Sequence, residues 1–228
     1  MKALWLSLVL LLLCSCAALQ QIPLPDLSKG EPLAPSLQEQ TRQSCEEHFV
    51  SGNWQFVHAI SFEMASGHGA TVLGVTVLDG EDIKTGLMTV EGFVLFEAEL
   101  DTEKKLQVNR ALPPFDNSEF TMGLMEDVQT IFLLPSKKTP VMARSADGDL
   151  LCRYDVANGN IIDVIPGTGG SNVIHVYDPG QTRIKTITAD TYIPVDSEMI
   201  PENIQLTAQG LQGYTLKMTL ISAEQLQK

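Results

Sequence analysis

Cysteine and histidine side chains offer the most chemistry in this 228-residue chain, and there are only four of each. The histidines show neither HExxH nor any other spacing typical of metal ligands, and no Gly-x-Ser-x-Gly motif surrounds a nucleophilic serine. A cysteine nucleophile would need a histidine brought beside it by folding. The sequence therefore predicts no metal site and no cofactor, and we do not expect an enzyme.

The N-terminal segment has the pattern of an export signal. Residues 1–15 begin with one basic side chain, and residues 3–13 are almost purely apolar, which is shorter than the roughly 20 residues of a membrane-spanning helix. The segment then reads Leu-Cys-Ser before Cys16. This resembles a bacterial lipoprotein signal, in which that cysteine is lipidated and becomes the new N-terminus. The alternative is an ordinary secretory signal cleaved after Ala17 or Ala18.

Charge limits the partners of the exported chain. Residues 16–228 hold 14 basic and 28 acidic side chains, a net charge of −14. Nucleic acid and anionic lipid headgroups both require a basic surface, so neither is an expected partner. The resemblance instead implies membrane attachment through acyl chains on Cys16, palmitate among them. Because Ala17 is not the aspartate of inner-membrane retention, we expect the outer membrane and a periplasm-facing domain. An inner-membrane or surface location stays open.

Two further cysteines, Cys45 and Cys152, remain in the exported chain. An oxidising compartment favours a disulfide between them. The alternative is two buried free thiols, which behave as small hydrophobic side chains. Both interpretations place the two residues inside the fold rather than at a reactive centre.

The chain after the signal divides into a tether and one domain. Residues 16–35 contain four prolines and little periodicity, as is typical of a semi-extended linker. Residues 36–50 are predicted to be helical, and thereafter a hydrophobic period of two indicates half-buried strands. A second helix is predicted over residues 117–131, with Asp116 and Glu119 as a capping box. Roughly eleven strands without strand–helix alternation predict a mainly β, α+β fold with an antiparallel sheet.

Several strands are apolar on both faces, most clearly residues 71–78 and 173–177. A sheet covered on one face alternates more cleanly between apolar and polar residues. A helix, the sheet curving onto itself, or a ligand must therefore cover the second face. Met88, Met122 and Met125 lie at or near the predicted helix–sheet contact, where methionine adapts to variable apolar guests. The alternative is that these side chains only fill the core.

Several segments carry a resemblance to the LolA/LolB-like superfamily of bacterial lipoprotein-localisation factors. They read WQFVHAISFEM, TVEGFVLFEAEL, RALPPFD, LMEDV and IPENIQLTAQGLQGYTLKMTL. The resemblance implies a domain over residues 36–228, in which a strongly curved antiparallel sheet forms an unclosed half-barrel. An N-terminal helix and a lid helix would cover an apolar cavity that receives acyl chains. The candidate cavity and lid residues are Trp54, Phe56, Phe62, Met88, Phe96, Phe120, Met122, Leu124 and Met125.

Two functions from different classes follow. The first is an envelope lipoprotein that binds a lipid or an acylated protein in the half-barrel, for transport or for insertion at the outer membrane. The second is a non-catalytic lipoprotein that uses the same scaffold to bind protein partners. The first predicts an apolar cavity, and the second predicts a packed interior with an apolar patch outside.

Overall fold

The structure is a computed structural model that describes residues 21–29, 31–113, 115–136, 138–167, 171–196, 198–210 and 213–227. The predicted signal and Cys16 lie outside these ranges. None of the helices within them is both long and apolar enough to cross a bilayer.

In the described residues, one antiparallel sheet of twelve strands forms the body of the fold, against the roughly eleven predicted. The mainly β fold class is confirmed, while the curvature of a half-barrel stays a prediction. The strands are β1 (Asn53–Met64), β2 (Gly69–Asp79), β3 (Asp82–Met88), β4 (Val94–Leu100), β5 (Leu106–Ala111), β6 (Val141–Arg144), β7 (Leu150–Asp155), β8 (Ile161–Pro166), β9 (Asn172–Tyr177), β10 (Arg183–Val195), β11 (Glu198–Ala208) and β12 (Tyr214–Gln225).

The strand order joins two meanders at the centre of the sheet. It runs β5-β4-β3-β2-β1-β12-β11-β10-β9-β8-β7-β6, so β1 pairs with β12 while β5 and β6 form the two edges. The chain leaves the sheet at one edge after β5 and returns at the opposite edge in β6. The connection between them contains the helix α2 (Ser118–Phe132), which therefore lies between the two edges of the sheet.

Both helices differ from their predicted boundaries. The first helix, α1 (Pro35–Glu46), ends four residues earlier than predicted, because the chain turns inward after Glu47. Gly52 has a φ of +94° but lies beyond that turn, so it does not cap α1. The predicted capping box at Asp116 is wrong by one position. The side chain of Asn117 is the N-cap, and it accepts from the backbone N–H groups of Glu119 and Phe120.

The two helices cover the same face of the sheet. Phe62 on β1 and Cys152 on β7 lie on this face, because directly paired residues in successive strands share a side. Phe62 contacts α2 and Cys152 contacts α1. The core lies between this face and the helices, and it includes Trp54, Phe56 and Phe96.

Strand direction defines two ends of the sheet. The turns at residues 65–68, 89–93, 156–160, 178–182 and 209–213 lie together at what we call the upper end, and the remaining hairpin turns lie at the lower end. A hydrogen bond from the N–H of Ala65 to the carbonyl of Gly213, 2.8 Å long, joins two of the upper turns. Because β5 ends at the upper end, α2 starts there and runs towards the lower end.

The residues before α1 are partly bound to the sheet. The Leu24 N–H donates to the Gln181 carbonyl, and the Arg183 N–H donates to the Ile22 carbonyl, each over 2.8 Å. The Arg153 side chain also donates to the carbonyl of Pro25 over 2.9 Å. Residues 22–25 of the predicted tether over residues 16–35 therefore pair with the domain through these backbone groups.

Candidate functional site

The helix α2 lies along β1, and the helix and the strand run in opposite directions. Phe120 at the start of α2 contacts Phe62, and Phe132 at its end contacts Phe56. Twelve helical residues extend about 18 Å, and six strand residues extend about 20 Å, so the two segments match in length. This match lets one helix cover a long stretch of the central strands.

The lower half of α2 is packed into the core. Met125, Val128 and Ile131 are buried, as is Phe132. The ring of Phe132 stacks on Phe56 with 5.1 Å between centroids. Burying apolar side chains of this size contributes about 1.5–3 kcal/mol each, so this half of the helix is firmly held.

The upper half of α2 is held by a chain of aromatic rings, the upper aromatic cluster. Its contacts run from Phe96 to Phe115 (5.6 Å between centroids), to Phe120 (5.7 Å), to Phe62 (6.4 Å) and to Tyr214 (5.7 Å). The cluster links β4, the loop before α2, α2 itself, β1 and β12. Phe120 is only half-buried, as are Met122 and Leu124 on the same half of the helix. This half of α2 is therefore less enclosed than the lower half.

Exposed apolar side chains and an open depression also occur at the upper end. The depression, of about 370 Å³, lies beside the cluster and is lined by both polar and apolar residues, among them Glu63, Met64 and Tyr214. Val90 and Phe93, in the β3–β4 turn at the same end, are 64% and 73% exposed. Apolar groups and a depression thus occur together where the helix is least enclosed.

A buried polar network joins the middle of α2 to the sheet. The carboxylate of Asp127 pairs with the ammonium group of Lys185 on β10 and accepts from the hydroxyl of Tyr214 on β12. Burial raises the pKa of Asp127, and the two partners partly offset this rise. The pKa of Tyr214 is also raised, first by burial and then by the carboxylate. A buried carboxylate is tolerated only with such partners, so this network fixes one position of the helix.

Sequence reasoning missed Asp127, although a signal was present. It lies seven residues after Phe120 and four before Ile131, which is apolar-face spacing on a helix. A charged side chain on that face has to find a partner inside the fold. The partners themselves, from strands far along the chain, carry no such signal.

Two buried histidines border a small internal space under the lower half of α2. His48 and His58 line this space of about 20 Å³ together with Phe132. A space of that size holds about one water molecule. The Nδ1 atom of His48 lies 3.1 Å from the hydroxyl of Tyr192, whereas the Nε2 atom of His58 has no hydrogen-bond partner among the residues that the structure describes. Burial lowers the pKa of each histidine to about 4.

His48 lies within residues 36–50, which are predicted to be helical, but outside the observed helix. It follows the end of α1, in the turn that leads the chain inward, and is buried. His58 was expected in a strand and lies in β1, where it takes the place of an apolar residue between Phe56 and Ile60. That regular alternation is the signal by which its burial could have been predicted.

The nine predicted cavity and lid residues lie in different surroundings. Trp54, Phe56, Phe96 and Met125 belong to the buried core, and Phe62 and Leu124 pack against it. Phe120 joins the upper aromatic cluster, while Met88 and Met122 are half-buried outside the core cluster. Their contact with a ligand stays a prediction.

A disulfide joins the helix α1 to the strand β7 on the face of the sheet that both helices cover. The Sγ atoms of Cys45 in α1 and Cys152 in β7 are 2.11 Å apart. Both residues are fully buried, so neither presents a thiol to a cleft. Within the described ranges, no group of three or more His, Cys, Asp or Glu side chains could hold a metal ion.

Comparison with solved structures places this architecture in a known fold. A LolA superfamily protein from Nitrosomonas europaea aligns with a TM-score of 0.56 and 10% sequence identity, covering 84% of this chain and 94% of that protein. An outer membrane lipoprotein-sorting protein domain, as it is described, from Vibrio parahaemolyticus aligns at 0.47 and 11% identity, covering 87% and 93%. A DUF1329 family protein from Desulfovibrio piger aligns at 0.45 and 8% identity, covering 83% and 92%.

The chain has a LolA-like fold, as the first alignment establishes. No protein-family model matches the sequence, and no curated protein matches it either. The structural likeness therefore defines the architecture, and the function has to be argued from the helix–sheet interface.

Proposed function

We propose that this protein is a lipid-anchored, non-catalytic envelope protein that binds the acyl chain of a lipid or lipoprotein between α2 and the sheet. The acyl chain enters at the upper end, beside Phe120, and takes the place of α2 side chains on the sheet. In this role α2 is the lid predicted from the sequence.

The contrast within α2 carries this proposal. The apolar side chains of its lower half are buried, whereas Phe120, Met122 and Leu124 of the upper half are half-buried above the apolar face of β1. Thr121 is the buried residue of the upper half. The internal space of about 20 Å³ is far too small for an acyl chain, so binding requires displacement of the helix. The less enclosed upper half is where that displacement starts.

Burial of the acyl chain would drive the exchange. Each buried methylene contributes about 0.8 kcal/mol, so a chain of sixteen carbons contributes about 12 kcal/mol before costs are subtracted. The cost is the loss of contacts that the upper aromatic cluster and α2 make with the sheet. In the upper half of α2, apolar contacts are replaced by apolar contacts, while the Asp127 network holds the middle of the helix, so no catalytic group is needed.

The proposed anchor is Cys16, which places the domain, residues 36–228, at the outer membrane and facing the periplasm. This part of the proposal rests on the sequence signal. The acidic charge of the chain supports attachment through acyl chains rather than through lipid headgroups.

A second candidate function is a scaffold that binds protein partners without taking up lipid. Two observations favour it: the interior is packed, and Val90 with Phe93 forms an exposed apolar pair outside it. The packed interior is what the scaffold predicts, and the apolar cavity predicted for lipid binding is not open among the described residues. Lipid binding therefore requires that α2 is in a closed position here, in which its side chains fill the space that the acyl chain would take. The two functions differ in what occupies the sheet face beneath α2 in the functioning protein: an acyl chain in the first, and only α2 itself in the second.

A site-specific photocrosslinker distinguishes them. Full-length protein carrying p-benzoylphenylalanine in place of Phe120 is extracted from membranes and irradiated, and the products are identified by mass spectrometry. The lipid-binding function predicts an adduct whose added mass is a phospholipid or lipoprotein acyl chain. Products that contain only protein crosslinks would favour the scaffold and contradict lipid binding.

The matched control places the same crosslinker at Glu126, which is exposed on the opposite side of α2. Lipid adducts at position 126 as abundant as at position 120 would indicate nonspecific contact with detergent or membrane. Native mass spectrometry of the unaltered protein supplies the mass of any retained lipid independently of the crosslinker.

A further inference from the structure

We propose that the upper end of the sheet faces the lipid bilayer, because the N-terminal segment is fastened there a few residues after the proposed lipid anchor. This inference rests on the proposed lipidation of Cys16 and deepens the proposed function by assigning the membrane-facing surface. The partner is the bilayer surface itself.

Backbone pairing fixes the N-terminal segment at the upper end. Pro23 forms an antiparallel bridge with Thr182, and the hydrogen bonds of Ile22 and Leu24 flank it on both sides. Arg183, which donates to Ile22, is the first residue of β10. The segment is therefore held at the level where β10 begins, which is the upper end.

A buried ion pair holds the next residue of the segment. Arg153 on β7 donates two hydrogen bonds of 2.7 Å to the carboxylate of Asp163 on β8, and a third of 2.9 Å to the carbonyl of Pro25. The Asp163 side chain is 1% exposed and the Arg153 side chain 13%. Bidentate pairing fixes the orientation of the guanidinium group. Its remaining N–H group therefore holds the Pro25 carbonyl at one defined position.

Contact with Arg153 also shows which face the segment covers. Cys152 points to α1, so its neighbour Arg153 points to the opposite face of the sheet. Asp163 and Tyr177 are buried on that opposite face. The N-terminal segment thus helps to supply the second cover that the two-sided apolar pattern of residues 173–177 required.

The length of chain before the segment limits how far the anchor can lie from it. Five residues, 17–21, separate Cys16 from Ile22, so their Cα atoms are at most about 20 Å apart even when fully extended. The strand β10 has 13 residues and is about 40 Å long. An anchor at Cys16 can therefore reach a bilayer near the upper end but not one at the lower end of β10.

This orientation places the proposed entrance towards the membrane. The upper half of α2, the upper aromatic cluster and the β3–β4 turn all lie at the end that the anchor can reach. An acyl chain could then pass between the bilayer and the sheet over a short distance. The lower hairpin, between β10 and β11, points away from the membrane.

Tryptophan reporters at the two ends test the orientation. Ala157→Trp lies in the exposed β7–β8 turn at the upper end, and Met199→Trp lies on the exposed start of β11 at the lower end. Trp54 is fully buried and common to both variants. Lipidated full-length protein is reconstituted in phosphatidylcholine vesicles, and fluorescence is compared with and without brominated acyl chains. We expect at least threefold stronger quenching of the residue at position 157.

Equal quenching at the two positions, or stronger quenching at position 199, would overturn the orientation. Vesicle flotation of the same samples separates this failure from failure of the anchor. Protein that does not float lacks the anchor, and the orientation is overturned together with the proposed function. Protein that floats but shows equal quenching keeps the anchor and loses only the orientation.

A longer linker provides the second variant. Inserting twelve Gly and Ser residues between Ala18 and Leu19 adds about 20 Å of flexible reach without touching the bound segment. We expect quenching at position 157 to fall at least twofold while flotation is unchanged. Unchanged quenching would show that the short connection does not set the orientation and would overturn the proposal.

Discussion

The two helices cover the same face of one sheet, but they are held by different means. A disulfide joins α1 to β7 through Cys45 and Cys152, whereas α2 is held by apolar contacts and by the Asp127 network. A covalent bond fixes α1 whatever ligand is present. Noncovalent contacts can be exchanged for contacts with a ligand. Under the proposed function, this difference makes α1 the fixed cover and α2 the exchangeable one.

The largest expected effect concerns the fixed helix. The double variant Cys45→Ala/Cys152→Ala removes a crosslink between residues 107 positions apart. In the chain-entropy model we expect the free energy of unfolding to fall by about 4–5 kcal/mol. Urea denaturation followed by circular dichroism measures it. Acyl binding to the folded variant should persist, and its loss would contradict the division of roles between the helices.

The next effect concerns the exchangeable helix. Asp127→Ala leaves Lys185 and Tyr214 without their buried partner, and we expect a loss of about 3–4 kcal/mol in the free energy of unfolding. Glu126→Gln, on the exposed side of the same turn, is the control and should change stability by less than about 0.5 kcal/mol. Similar urea midpoints for the two variants would show that the network does not hold α2.

A pH series tests the lower half of the interface. The folded pKa of His58 is about 4, below its ordinary value of 6.5, so the folded state binds fewer protons than the unfolded state between these values. Its contribution to stability is complete above pH 6.5 and is lost as the pH falls towards 4. At about 1.4 kcal/mol per pKa unit, the loss is about 3 kcal/mol.

The variant His58→Phe should flatten this pH dependence by about that amount, as measured by urea denaturation at pH 4 to 7. His48 behaves in the same direction, because burial lowers its pKa to about 4 as well. His68→Gln, in an exposed turn, is the control and should leave the wild-type curve unchanged. A variant at position 58 with the wild-type pH dependence would contradict the burial of this imidazole beneath α2.

The smallest effect distinguishes the two halves of α2. Phe120→Ala removes a half-buried ring, and we expect a cost of about 1–2 kcal/mol, less than the 3–5 kcal/mol typical of a fully buried phenylalanine such as Phe132. Chemical denaturation of the two variants gives the comparison. Equal costs would mean that both halves are equally held, and the upper half would not be the proposed entrance.

Much of the fold could be predicted from local pattern. A period of two located the strands, and helical spacing with a preceding polar cap located α2 to within one or two residues at each end. Such signals are local, because each depends on neighbouring residues of the chain. The LolA-like fold was predicted from the resemblance that several short segments carry, and the structure has that fold.

Apart from the Cys45–Cys152 disulfide, which the exported compartment favours, the long-range arrangements could not be predicted, because their partners are far apart in sequence. Nothing near Asp127 indicates Lys185, and the proline-containing segment at Ile22 has no periodicity that indicates pairing with Thr182. The placement of β6 at the edge opposite β5 likewise depends on where α2 crosses the sheet. The candidate site depends on these arrangements, so the sequence identified its apolar residues but not the contacts that hold it closed.

Hydrogen exchange measured with and without an acyl ligand tests the central claim that α2 is the exchangeable cover. The amides of α1 and α2 are compared in the protein alone and with saturating lysophosphatidylcholine. We predict at least tenfold faster exchange in α2 on binding, with α1 unchanged. Bound ligand with no change in α2, or with equal changes in both helices, would contradict the account.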